Sequence, residues 1–402
     1  MKLDTVTNFY VLGGLNIRVV VPYPFNMDKG CHLTVLRSEK DLSTSWLEKL
    51  LMMKLKIDIS VTSWAARVPE VKDGCLSEIA FVRVECRDSS DQLREKSLVF
   101  KFMPQDKHLI GIMISGSLSR KEIEFYKFVA TDDFQVFCNK AGLKHPVPDV
   151  YWSCMEDDRL TLVMHDLSTD GFRVDIPPEG NHLLQTKSTL LSVAVIHACG
   201  VVSLKKYGKE YFNVPSADFL GGFFSDGLER QMETFRGTPT EQTLKAIRPL
   251  SEQLIKMRSP FLDTVIHGDL WAGNVLFSPD DTIVAIIDWQ FACVDNPLCD
   301  LVTMLLISSH PEVLRRHLTE VLECYWQALT QALRTNGSAV DATFQDLVNN
   351  VEEMWMYGYM FYTVSLIEML ANDKTTVDKL RGIVTCLEER YSFKRFLQNI
   401  DR

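Results

Sequence analysis

The sequence predicts an α+β fold in two lobes, a small one built on an antiparallel sheet with a helix and a larger, mainly helical one. Three observations predict it. The chain has 402 residues, more than one compact core usually holds. Alternating apolar positions concentrate before about residue 165, and apolar spacings of three and four residues dominate after it. With 46% hydrophobic and 24% charged residues, the composition supplies a large core and excludes global disorder. The expected division is residues 1–165, with 1–40 an unassigned extension, and residues 166–402.

Up to residue 40 no periodicity stands out, and Pro22 and Pro24 suggest extended connections. Ser45 and Glu48 have capping-box spacing, with Trp46, Leu47, Leu50 and Leu51 following at helical intervals, so a helix is expected to begin there. Ala80, Val82, Val84 and Cys86 alternate along 78–86, and 98–102 reads likewise; these are expected to be neighbouring antiparallel strands. Ser119 and Glu122 repeat the capping-box spacing ahead of Ile123, Tyr126 and Ala130, a second helix. Pro146 and Pro148 precede strands at 150–153 and 160–164. Beyond them, 190–199 with Gly200 as its C-cap, 301–307, 313–333 and 344–370 read as helices. Between these, VIHGDLWAGNVLF and TIVAIIDWQ return briefly to strand.

A formal net charge of -10 without a Lys/Arg block excludes nucleic acid as a partner. The 10 cysteines include no CxxC pair and point to neither a disulfide framework nor a zinc module, Cys293 and Cys299 beside Asp295 included. A reducing, cytoplasmic location fits them. Asp4 and Asn8 interrupt any signal-like start after Lys2, and no apolar run approaches the ~18 residues of a membrane span.

The chemistry concentrates in one segment. His267, Asp269 and Asn274 stand in the order His-x-Asp-x-x-x-x-Asn, and Asp288 follows at the end of an apolar run. Phosphoryl transfer uses such a set: the first carboxylate orients or deprotonates the attacking hydroxyl, while the amide and second carboxylate are hard oxygen donors for Mg²⁺ on the phosphates of ATP. Taken singly, Asp269 reads equally as a turn cap and Asp288 as a strand end. Their order, spacing and apolar flanks together favour catalysis.

HGDLWAGN followed by IIDW resembles the aminoglycoside and choline kinase superfamily, in its ecdysteroid-kinase-like, or CHK kinase-like, branch. The resemblance runs in motif order from Trp46 onward, and only 266–300 is specific by itself. It implies a bilobal protein-kinase-like fold, ATP and Mg²⁺ as cofactors and a small-molecule hydroxyl as acceptor, whether metabolite, sterol or amino-alcohol. Gly268 and Trp289 stand where protein kinases have Arg and Phe, which favours a small molecule over a protein substrate. Asn296, Pro297 and Asp300 follow Asp288 too closely for an activation loop.

By the same resemblance His267 braces the loop, and Asp300 opens the next helix and hydrogen-bonds the loop. Lys101, mid-strand in SLVFKF and facing away from Leu98, Phe100 and Phe102, is expected to pair the phosphates of ATP; the alternative is an edge-strand lysine reaching solvent. Its partner is Glu122, in the pattern Glu-x-x-x-Tyr, unless Glu122 caps the helix with Ser119, in which case Glu124 takes the role. KDGCLSE, with Gly74 and Ser77, resembles the nucleotide loop by its place, and an ordinary hairpin turn fits it equally. Val163, Met164 and His165 resemble the hinge whose backbone reads adenine. Trp355, Tyr359 and Tyr362 recur at helical spacing; they could line an acceptor pocket, caging an ammonium or stacking on a ring, or pack the core. The rival reading is a pseudokinase or ligand-binding module that holds nucleotide without transferring phosphate. The single-glycine loop favours it, and intact Lys101, Asp269, Asn274 and Asp288 disfavour it.

Overall fold

The computed structural model describes residues 5–12, 15–22, 33–69, 76–143, 147–212, 214, 221–256, 258–369, 374–390, 392 and 394. In the stretch that carries no sequence signal, β1 (Thr5–Leu12) and β2 (Leu15–Pro22) pair as an antiparallel hairpin. Helix α1 (Thr44–Leu55) starts from Ser43, whose hydroxyl accepts from Trp46 N–H at 3.3 Å. Ser45 is therefore not its cap. Glu48 closes no capping box either: its carboxylate accepts from Val61 N–H at 3.0 Å and ties the helix to β3 (Ile59–Arg67).

A hairpin of β4 (Glu78–Asp88) and β5 (Leu93–Phe102) joins β3, β6 (Val150–Glu156) and β7 (Arg159–His165) in a five-stranded antiparallel sheet of order β3-β4-β5-β7-β6. The expected alternation is observed: Ala80, Val82, Val84, Cys86, Leu98 and Phe100 bury one face under Trp46, Leu47, Leu50 and Leu51 of α1. Lys101, by strand alternation, belongs to the opposite face.

Between β5 and β6 lie α2 (Lys107–Ser115), α3 (Leu118–Val129) and α4 (Asp132–Lys140). Helix α3 has no side-chain cap. Ser117 enters it in the left-handed region at φ 53, and Ser119 donates its hydroxyl to the Met103 sulfur at 3.2 Å. The capping task that competed for Glu122 is thus absent.

After β7 come β8 (Arg173–Val174), α5 (Leu183–Tyr207), α6 (Gly221–Thr234), α7 (Pro239–Ile247) and α8 (Ser251–Ile255). Four short strands follow: β9 (Thr264–Ile266), β10 (Val275–Phe277), β11 (Val284–Ile286) and β12 (Cys293–Asp295). β12 pairs with β9, and β10 lies between β11 and β8. The chain then continues through α9 (Leu298–Ser308), α10 (Pro311–Arg316), α11 (Leu318–Thr335), α12 (Phe344–Met369) and α13 (Lys374–Glu389). The helix expected over 313–333 is two, because His317 leaves the helical region at φ -120.

Helix α5 runs straight through Gly200 and is capped by Gly208, at φ 85. Gly200 serves packing instead, since a Cβ there would collide with Thr264 Oγ1 and lie 2.7 Å from Val265 N. By length and composition α5 is apolar enough to cross a membrane, unlike the sequence expectation, yet 83% of its most apolar window is buried inside the protein. Core burial accounts for that apolarity.

Candidate active site

Strand β9 delivers the chain to His267, and the next residue must be glycine. Gly268 has φ 81, and a Cβ there would lie 2.5 Å from Phe291 O. The His267 ring is fully buried. It faces the Ile287 carbonyl through Nε2 at 2.8 Å and accepts from Asp269 N–H at Nδ1, 3.2 Å away. Those partners put the proton on Nε2, and burial lowers the imidazole pKa, so the ring is a neutral brace. Asp300 holds the same turn from below: its Oδ2 accepts from His267 N–H at 2.7 Å and its Oδ1 from Gly268 N–H at 2.9 Å. Burial alone would raise its pKa, but hydrogen bonds from the His197 ring and the His267 backbone hold it below the ordinary carboxylate value.

Asn274, ending a 3-10 turn over Ala272–Asn274, donates its amide to the Asp269 carbonyl at 2.9 Å and to Asp269 Oδ2 at 3.3 Å. Its Oδ1 is left as an acceptor. Ile287 N–H donates to Asn274 O at 3.0 Å, which brings Asp288 alongside. Asp288 sits at φ 62, a costly conformation for a residue with a Cβ. Trp289 pins that turn: its buried ring stacks on Phe125 at 3.6 Å and 6°, and its Nε1 donates to Ile286 O at 3.0 Å. Burial, with the nearby Asp288 charge, pushes the Asp269 carboxyl up to about 8.

Lys101 crosses from the sheet to meet this set. Its Nζ lies 2.8 Å from Glu122 Oε2 and 2.6 Å from Asp288 Oδ1. Burial works against its charge, but the two carboxylates outweigh it and the ammonium pKa is raised. Glu122, also buried, is raised by desolvation against the pull of Lys101. The choice between glutamates is decided by geometry, for Glu124 pairs with Lys127 at 3.0 Å. The snorkelling alternative fails as well, because β5 is an interior strand and Lys101 is 3% exposed.

Three expectations need correction or fall outside. Val163, Met164 and His165 lie within β7, registered against Phe100, Val99 and Leu98 on one side, with Val163 and Met164 facing β6 on the other; His165 N–H donates to Asp149 O. Val163 and Met164 are thereby flanked by strands on both sides, and the His165 N–H is taken by Asp149 rather than offered to a base. Trp355 and Tyr359 are packed inside the helical core at 1% and 0% exposure, with Trp355 Nε1 donating to Glu352 and the Tyr359 hydroxyl to Gln231. They line no open acceptor face. Gly74 and the Tyr362 side chain lie outside the described residues, and Ser77 immediately precedes β4. Two supporting residues carried no sequence signal: Phe125, under Trp289, and Ser308, whose hydroxyl accepts from Ala272 N–H at 2.7 Å.

Residues 72–338 match the ecdysteroid kinase-like family. Among curated proteins, acyl-CoA dehydrogenase family member 11 of Homo sapiens is 27% identical over 121 residues, 28% of this chain and 14% of that protein. The matches span a fifth or less of the curated relatives' length. Among solved structures, macrolide 2'-phosphotransferase type I superposes over 87% of this chain and 98% of that one, with TM-score 0.41 and 18% identity. A choline/ethanolamine kinase family protein from Mesorhizobium loti covers 82% and 92%, with TM-score 0.41 and 12% identity.

Proposed function

The chain belongs to the ecdysteroid kinase-like family, and on that premise we propose that it transfers the γ-phosphate of ATP to a hydroxyl of a small molecule, with Asp269 as base and Mg²⁺ as cofactor. The observation that carries this reading is the Lys101 ammonium, bound at 2.8 Å by Glu122 and at 2.6 Å by Asp288 beside the Asp269–Asn274 pair. A cation from the sheet, two oxygen-bearing side chains of the loop and Asp288 from the turn after β11 converge there.

The donor set fits a hard divalent ion. Asn274 Oδ1 and the Asp288 carboxylate are oxygen donors, and the Asp269 carboxyl beside them is raised to about 8 by burial and the nearby Asp288 charge. Among the described residues no group of three or more His, Cys, Asp and Glu side chains could form a complete metal cage. Two protein oxygens that leave positions for phosphate and water suit Mg²⁺. When bound, the ion would neutralise charge on the phosphates.

The chain's own residues then divide the work. Lys101 binds phosphate oxygens, and Glu122 keeps its ammonium aimed. Asn274 fixes the Asp269 carboxylate, which orients the acceptor hydroxyl in line and takes its proton. His267 and Asp300 hold the loop that carries both. The test is ADP release with Mg²⁺-ATP across ecdysteroids, choline-like amines, aminoglycosides and simpler alcohols, with Asp269→Asn as control. Acceptor-dependent turnover that the variant loses is expected. A protein that Mg²⁺-ATP neither stabilises nor reacts with would end this reading.

A further inference from the structure

Beneath the loop a second polar chain crosses the helical core. Tyr325 of α11, His197 of α5 and Asp300 of α9 are 0%, 0% and 1% exposed. The Tyr325 hydroxyl lies 2.9 Å from His197 Nδ1, and His197 Nε2 lies 3.1 Å from Asp300 Oδ2. Burial holds the Tyr325 pKa well above its ordinary value, so the phenol keeps its proton and donates it to Nδ1. Nε2 then donates to Asp300, whose two oxygens accept from His267 N–H and Gly268 N–H. The Tyr325 and His197 bonds both run toward Asp300, where they meet the two N–H groups donated by the loop, and that aligned pair is strengthened in a dry interior. His197 also grips the strand that feeds the loop, because its carbonyl accepts from Thr264 Oγ1 at 2.6 Å.

We infer that His197 and Tyr325 are positioning residues for phosphoryl transfer: acting through Asp300, they set where the loop presents Asp269, and so govern turnover without touching nucleotide or acceptor. The reasoning is geometric. Asp300 reaches two successive backbone N–H groups, one with each oxygen, and the His197 side chain holds the carboxylate at Oδ2. Without that donor the carboxylate is buried with less to satisfy it, and the Gly268 turn, which alone separates Asp300 from Asp269, loses its clamp. A purely structural network would change stability and leave the chemical step of the folded fraction intact.

The inference rests on the phosphotransferase reading, so two independent readouts are needed. The full-length chain is prepared as wild type, Tyr325→Phe, His197→Gln and His197→Leu. Hydrogen exchange of the His267 and Gly268 amides, without nucleotide, reads the clamp; kcat and KM for ATP with a working acceptor read the chemistry. His197→Leu should lower kcat about 10- to 100-fold, in the range seen when groups orienting an active-site residue are removed, with KM for ATP unchanged. Tyr325→Phe, losing one hydrogen bond, should cost about three- to tenfold. His197→Gln, whose amide can still donate to Asp300, should recover most of the rate, and amide exchange should quicken in the same order as kcat falls. Wild-type kcat in folded His197→Leu, or an equal rise in KM for ATP, overturns the inference. If His197→Leu does not fold, Tyr325→Phe decides: unchanged kcat and exchange overturn it. If the wild type turns over no acceptor, the phosphotransferase reading falls, and unchanged exchange in Tyr325→Phe would then remove the clamp as well.

Discussion

A carboxyl pushed up to about 8 by burial keeps its proton in the unliganded protein at neutral pH. The consequence for stability has a definite sign. An unfolded Asp titrates near 4, so the folded chain binds this proton more tightly; the stability Asp269 contributes is fully present below about pH 4 and lost as pH rises through about 8. Thermal melts in chelator should therefore show a decline over that window which Asp269→Asn flattens. The same substitution should lower kcat by about 10² to 10⁴. A variant that kept wild-type kcat would remove Asp269 from the mechanism. Lys101→Met makes a complementary case, because it strands Glu122, 1% exposed, without its cation. Breaking a buried pair on one side costs about 3–5 kcal/mol, so Lys101→Met should lower Tm and raise KM for ATP, and adding Glu122→Gln should restore part of Tm but none of the ATP affinity.

Helices α1, α3 and α5 each begin or end away from the position their sequences suggest, and the reason is common to all three. A serine three residues before a glutamate satisfies the capping pattern wherever it falls, but Ser43 reaches Trp46 N–H while Glu48 is drawn to Val61 and Ser119 to Met103. Gly200 satisfies a C-cap pattern, yet its lack of a side chain is used by β9 crossing beside it. Gly200→Val should accordingly destabilise the protein by overpacking, by about 1–3 kcal/mol in a denaturant melt. Gly208, the actual C-cap at φ 85 and ψ 164, lies in a backbone region that essentially only glycine occupies, so Gly208→Ala should also lower stability, by about 1–3 kcal/mol, through strain at the helix end rather than overpacking. Wild-type stability in Gly200→Val would contradict the packing role of Gly200.

Sheet and helical bundle meet through a contact between residues far apart in the chain, Lys101 of β5 and Asp288 beyond β11, at 2.6 Å. A nucleotide bound to both would stabilise the whole molecule: at a hundred times its Kd the linkage is about 2.7 kcal/mol. Mg²⁺-ATP should raise Tm, and Asp288→Asn should abolish the Mg²⁺-dependent part of that rise while leaving the unliganded Tm near wild type. A Mg²⁺-dependent shift intact in Asp288→Asn would exclude that residue as the ion's ligand. The sequence by itself determined the features whose causes are local: the alternation that makes β4 and β5 neighbours, and the close spacing of His267, Asp269 and Asn274 within one loop. It also named Lys101 and Asp300, whose neighbours in sequence carry recognisable patterns. Only the tertiary structure decided between Glu122 and Glu124, set Val163 and Met164 between two strands, and turned Trp355 and Tyr359 inward. Each of those outcomes depends on what packs opposite a residue from a distant part of the chain, and a helical or strand period specifies which face a side chain shares without specifying what that face meets.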